Sequence, residues 1–284
     1  MYSIKNSNPF ITSLCLILLI ALIFSLPIDT LFSTDYFSEF QIEYFVLTLK
    51  MLLLFIIGFI GIKKVDLLSL SGISRTDKWS FKLLNAIPIY LFIVGILSFI
   101  GNDISQVHGS NVLLLLTACL MVGFAEEFIF RGLLLPLFIK KYQGHKKGVF
   151  LSIFFSALFF GLSHLINLSV NDNIPQVLAQ VIFATFMGIF FATVLLKTNK
   201  LVPIAITHGL INFFFLIGTL PAINNNVTIV PTTQSISDQI AGVIPSILIF
   251  SPLLIVGIII SKRIDREVTL QKLPKQNTTK VVKL

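Results

Sequence analysis

Residues 112–139 read VLLLLTACLMVGFAEEFIFRGLLLPLFI. The stretch is long enough to cross a bilayer, which takes about 20 apolar residues. It nevertheless carries Glu126, Glu127 and Arg131. A carboxylate or guanidinium at bilayer depth costs roughly 2.5–3.5 kcal/mol on insertion scales. Three such groups on one apolar run therefore mark a functional centre, and the apolar run itself marks a membrane protein.

The composition agrees. The chain has 284 residues, of which 55% are hydrophobic and only 12% charged, and its mean hydropathy is +0.94. Soluble domains carry about 25% charged residues. Eight apolar runs, at 10–26, 44–62, 83–101, 112–139, 148–168, 176–196, 201–220 and 240–260, predict an all-α polytopic membrane protein with about eight transmembrane helices in one integral membrane domain, 1–284. No small-x-small cleavage site follows the first run, where Phe24-Ser25-Leu26-Pro27 stands, so it is expected to be an uncleaved anchor.

Basic residues fix the expected orientation. Lys63, Lys64, Arg75, Lys78 and Lys82 share one loop, Lys140, Lys141, Lys146 and Lys147 a second, and Lys197 and Lys200 a third. The tail 261–284 adds Lys262, Arg263, Arg266, Lys272, Lys275, Lys280 and Lys283. The intervening loops contain Asp and Glu and no Lys or Arg. The positive-inside rule then puts both termini in the cytoplasm. The net charge of +8 is accounted for by this signal and by attraction of the basic tail to anionic lipid, without a nucleic-acid partner. Residues 65–80 are expected to lie along the cytoplasmic surface with Trp79 at the interface, and 221–239 to form a polar external loop. Cys15 and Cys119 fall inside spans and read as small buried hydrophobes rather than a disulfide. Lys50, inside the second span, is expected to snorkel or to pair.

Two further spans carry one histidine each. On a helix Glu127 and Arg131 are four residues apart and can meet on one face. Glu126 lies about 100° round and is left over, so it calls for a proton, a cation or another positive partner. His164 closes Phe160-Gly161-Leu162-Ser163-His164, and His208 opens His208-Gly209-Leu210-Ile211-Asn212. A lone histidine in a span is as often a helix–helix hydrogen bond as a ligand. Two of them with a spare carboxylate, from three spans, form either a divalent-metal site or a site that holds and activates water. Gly123, Gly132, Gly161, Gly188 and Gly209 would let the helices approach closely enough to build it. The zincin helix pattern His-Glu-x-x-His is absent.

Glu-Glu-x-x-x-Arg, Phe-x-x-x-His and His-x-x-x-Asn, in that order and each on its own span, resemble the CAAX protease and bacteriocin-processing (CPBP, or Abi) family, whose relatives include the type II CAAX prenyl endopeptidases. The resemblance covers residues 112–220. It implies an intramembrane endopeptidase of CAAX-protease type with its catalytic core there. Glu126 would activate the attacking water, and Glu127 and Arg131 would orient and balance it. His164, His208 and Asn212 would hold a metal or stabilise the oxyanion. The implied cofactor is a divalent metal, zinc by analogy, held by Glu126, His164, His208 and Asn212. The implied substrate is a membrane-associated peptide or protein at the bacterial plasma membrane, with bacteriocin immunity or peptide-signal maturation as expected settings. Two other readings compete. One is a non-catalytic membrane scaffold or immunity partner. The other is an ion-coupled transporter, against which the lack of internal repeats counts.

Overall fold

The computed structural model describes residues 7–73, 89–97, 107–221 and 235–273. Among these the regular elements are all helices, without a β-strand. The helices are α1 (Pro9–Phe24), α2 (Glu39–Val65), α3 (Ile89–Leu97), α4 (Gly109–Glu126), α5 (Leu135–Tyr142), α6 (Gly148–Ser163), α7 (Ile174–Thr198), α8 (Leu201–Leu216), α9 (Ile236–Ser261) and the short α10 (Arg266–Gln271). A π-helical segment, Glu127–Leu134, joins α4 to α5, so that Gly109–Tyr142 is one continuous apolar element.

Seven helices among the described residues are long and apolar enough to cross a membrane. They correspond to seven of the eight runs expected. The remaining run, 83–101, is described only over α3, and the rest of it lies outside the described residues, as do Trp79 and residues 222–234 of the external loop. Bilayer-spanning chains must satisfy their backbone groups internally, and helices do this segment by segment. Their ends are closed locally. Ser38 and Gln41 form a reciprocal capping box at the start of α2. Asp66 and Asn199 end α2 and α7 in the left-handed conformation.

The centre of the bundle is α4, the π segment and α5. They pack against α2, α6 and α8, while α7 lies between α6 and α9. The buried core is mainly Phe, Leu and Ile, including Phe130, Phe160, Phe190 and Phe191. The outward faces of α1, α2 and α9 are equally apolar, with Leu18, Ile56 and Leu248 exposed to the surroundings. A surface that apolar is stable only against lipid. Cys119 is buried and Cys15 exposed on the outer face of α1, so only the first behaves as the small core residue expected. Lys50 does pair rather than simply snorkel. Its Nζ donates to the carbonyl of Phe24 at 2.8 Å, satisfying an orphan acceptor at the C-terminus of α1.

Helix α4 meets α8 at backbone distance. A Cβ placed on Gly209 would stand 2.7 Å from Leu120 Cα and 2.8 Å from the Cys119 carbonyl oxygen, and one on Gly123 would strike the Ala205 carbonyl. This contact lies one helical turn from Glu127 and beside His208, and it sets how near those two side chains come. Gly209→Ala is therefore expected to force the helices apart, at the roughly 1–3 kcal/mol typical of overpacking. A lowered melting temperature in detergent together with lost activity would be the result. Unchanged melting and activity would show that the contact does not position the site.

Candidate active site

The site begins with the backbone of the π segment. Proline at 136 has no N–H to return to the Gly132 carbonyl, so an α-helical bond there is impossible. The chain instead runs through a wider turn in which the Leu135 N–H reaches the Phe130 carbonyl. The same carbonyl accepts a second hydrogen bond, 2.9 Å, from the buried Ser156 hydroxyl of α6. Wide turns of this kind recur at functional sites, and this one spans Glu127 and Arg131.

Both of these side chains are completely buried. Arg131 Nη1 lies 3.1 Å from Glu127 Oε1. The contact is an ion pair without hydrogen-bond geometry, and the guanidinium nitrogens make no hydrogen bond among the described residues. The guanidinium is carried by aromatic faces instead. Its carbon sits 4.1 Å from the ring centre of Phe160 and 5.8 Å from that of Phe191. In a dry site such cation–π contacts are worth about 2 kcal/mol or more. Phe160 also packs edge-on against the rings of His164 and His208, so one phenyl ring supports three of the polar side chains.

Glu127 Oε1 also meets His208 Nδ1 at 2.8 Å. As a carboxylate it can only accept, so the ring donates from Nδ1 and the bare nitrogen is Nε2. That nitrogen faces Glu126 Oε2 at 3.5 Å. His164 is fixed in the same way, Nδ1 donating to the Phe160 carbonyl at 3.0 Å, which again leaves Nε2 bare. His164 starts a 3-10 segment of 6 residues, His164–Ser169, where α6 ends.

A cavity of about 430 Å³ opens beside these groups. Glu126, His164, His208 and Asn212 all line it, while Glu127 and Arg131 lie behind the wall. The six residues expected from the sequence are thus brought together, in two layers. Glu127 pairs with Arg131 and Glu126 is the carboxylate left facing the open space, as expected, and the addition is that Glu127 also holds His208. Sequence reasoning missed Phe191, the support role of Phe160, and the polar lining residues Ser163, Asn167 and Gln180. The signal that could have found Gln180 is that it is the one amide beyond the first turn of the apolar helix α7.

The donor set fits a divalent metal in kind. Ligating histidines ordinarily have the second ring nitrogen bound to a carboxylate or a carbonyl, as both histidines do here. Among the described residues no three His, Cys, Asp or Glu side chains are gathered closely enough to form a complete metal site.

Residues 108–214 match the model of the type II CAAX prenyl endopeptidase Rce1-like family. The resemblance read from the three motifs is borne out over that stretch, which runs from the start of α4 into the last turn of α8 and leaves α1, α2, α3 and α9 outside. No curated protein matches the chain, and no solved structure does.

Proposed function

We propose that this protein is an intramembrane endopeptidase of CAAX-protease type, acting on a membrane-associated peptide or protein. The family match over α4–α8 supports a CAAX-type protease in a multi-pass membrane protein. The observation that carries the mechanism is the relay Arg131–Glu127–His208–Glu126, which passes from a sealed interior to a cavity wall.

In this reading Glu126 takes a proton from water as the water oxygen bonds to the scissile carbonyl carbon. The carbonyl electrons move onto oxygen. The Asn212 side-chain amide donates to that developing charge, which is where fixed donors lower a barrier most. The C–N bond then breaks, and the amine leaves with the proton Glu126 had taken. Glu127 keeps His208 in one tautomer, and Arg131 balances the charge of Glu127 and holds it in place. Glu126, His164, His208 and Asn212 would hold a divalent metal such as zinc. Such an ion, when bound, supplies Lewis acidity and brings the pKa of water to about 7. The setting is the plasma membrane of a bacterium with both termini in the cytoplasm, a reading supported by the alternation of basic and acidic loops. Bacteriocin immunity and the maturation of a peptide signal are the roles this activity would serve.

The test is cleavage of a membrane-peptide library by purified protein, read by mass spectrometry, with and without a chelator. Glu126→Gln is the paired control. Cleavage by wild type alone is expected, and its loss with chelator followed by recovery with zinc would establish the metal. No cleavage by either protein, with both folded, would favour the scaffold reading.

A further inference from the structure

Beside His164 the cavity wall carries an amide pair. Asn167, on the 3-10 segment, donates from Nδ2 to Oε1 of Gln180 on α7 at 2.8 Å, and both residues line the cavity. Most of the remaining cavity lining is apolar, including Phe24, Phe183, Met187 and Phe250. Among the described residues the lining includes no Lys, Arg or Asp, and its one carboxylate is Glu126.

A side-chain amide has both donors and an acceptor. One bond between two amides uses one of each. It leaves an acceptor on Asn167, Oδ1, and a donor on Gln180, Nε2, each anchored by the bond between them. Exchanging oxygen and nitrogen in both amides gives the same complement, a free donor and a free acceptor. That complement is the one an extended peptide offers along its edge, where N–H and C=O groups are displayed together. Main-chain pairing of this kind is indifferent to side-chain identity. The walls away from Glu126 would impose the remaining selection, because a charged side chain entering them finds no counter-ion there and loses its hydration.

We propose that Asn167 and Gln180 are a main-chain docking pair, which binds an extended, uncharged segment of the substrate peptide against the wall next to Glu126. The assignment rests on the peptidase reading. It makes the segment presented to Glu126 depend on backbone extension and lack of charge, not on a consensus residue.

The test uses the best-cleaved library peptide and a set of its depsipeptides, each with one backbone N–H replaced by an ester oxygen. Wild type is expected to show a raised KM for one ester position and little change at the others. Asn167→Leu and Gln180→Met keep similar size and lose the hydrogen bonds. Each is expected to raise KM about 3- to 10-fold with kcat nearly unchanged, the pattern of lost ground-state binding. The sensitive ester should cost nothing further in Asn167→Leu. A merely structural role would lower melting temperature without singling out an ester position. Unchanged KM in both variants, or a flat ester scan in wild type alone, would overturn the docking pair and leave the peptidase standing. Should no peptide be cleaved, binding of a fluorophore-labelled Leu/Ala decapeptide to Glu126→Gln is measured. Binding that weakens in Gln180→Met supports the pair, and no binding overturns both readings.

Discussion

Glu126→Gln is expected to lower peptide cleavage by about 10²–10⁴-fold, the usual contribution of a positioned general base, while the protein inserts, accumulates and melts as wild type does. The two halves of that expectation come from one feature. Glu126 is the carboxylate on the cavity side, with His208 Nε2 at 3.5 Å as its one charged or titratable neighbour within ion-pair distance among the described residues. Glutamine has the same shape and can still meet that nitrogen, so little packing is lost. It cannot take a proton from water. Comparing initial rates with melting curves in the same detergent decides the matter. Cleavage within tenfold of wild type would remove Glu126 from the chemistry, and a collapsed yield would make it a structural residue.

Arg131→Ala is expected to fail in the opposite way, through the fold. The guanidinium is completely buried between two aromatic rings and is the cation next to Glu127. Its removal leaves a void between Phe160 and Phe191 and a buried carboxylate with a histidine as sole partner among the described residues. Breaking a buried pair from one side costs about 3–5 kcal/mol, which is a large part of the stability of an ordinary domain. Low yield and a melting temperature reduced by several degrees should accompany the loss of activity. The double variant Arg131→Met/Glu127→Gln separates charge from shape. It should recover melting temperature without recovering cleavage, because a neutral amide at position 127 no longer fixes the tautomer of His208. A single Arg131→Ala variant as stable as wild type would mean that the ion pair contributes nothing to folding.

The parts of this arrangement that were legible in the sequence are those that conflict with their surroundings. Glu126, Glu127, Arg131, His164 and His208 stand out because lipid-depth helices have no solvation to offer them. Helix count and type followed from run length. The Glu127–Arg131 pair followed from their spacing, and the histidine partner did not. The Glu127–His208 bond spans 81 positions and depends on the Gly123–Gly209 approach, a property of two helices together. Phe160 was visible as part of a motif, but a phenylalanine among 28 in the chain gives no sign that an arginine rests on it. Asn167 and Gln180 went unread for a related reason. An amide in a span costs far less than a charge, so its presence raises no alarm until its partner is known.

The wide turn at Glu127–Leu134 also bears on how such a chain can change over generations. Its apolar residues can be exchanged for one another with little consequence for insertion. Its length cannot be altered in the same way. Loss of one residue would remove the wide turn and leave the segment still apolar and still spanning, but everything beyond the gap would be turned by about 100° against everything before it. The ion pair, the Ser156 link and the cavity wall lie on opposite sides of that gap. Membrane insertion would not notice the deletion, and the site would be dismantled by it. This segment is therefore one where exchanges among its apolar residues are admissible and indels are not.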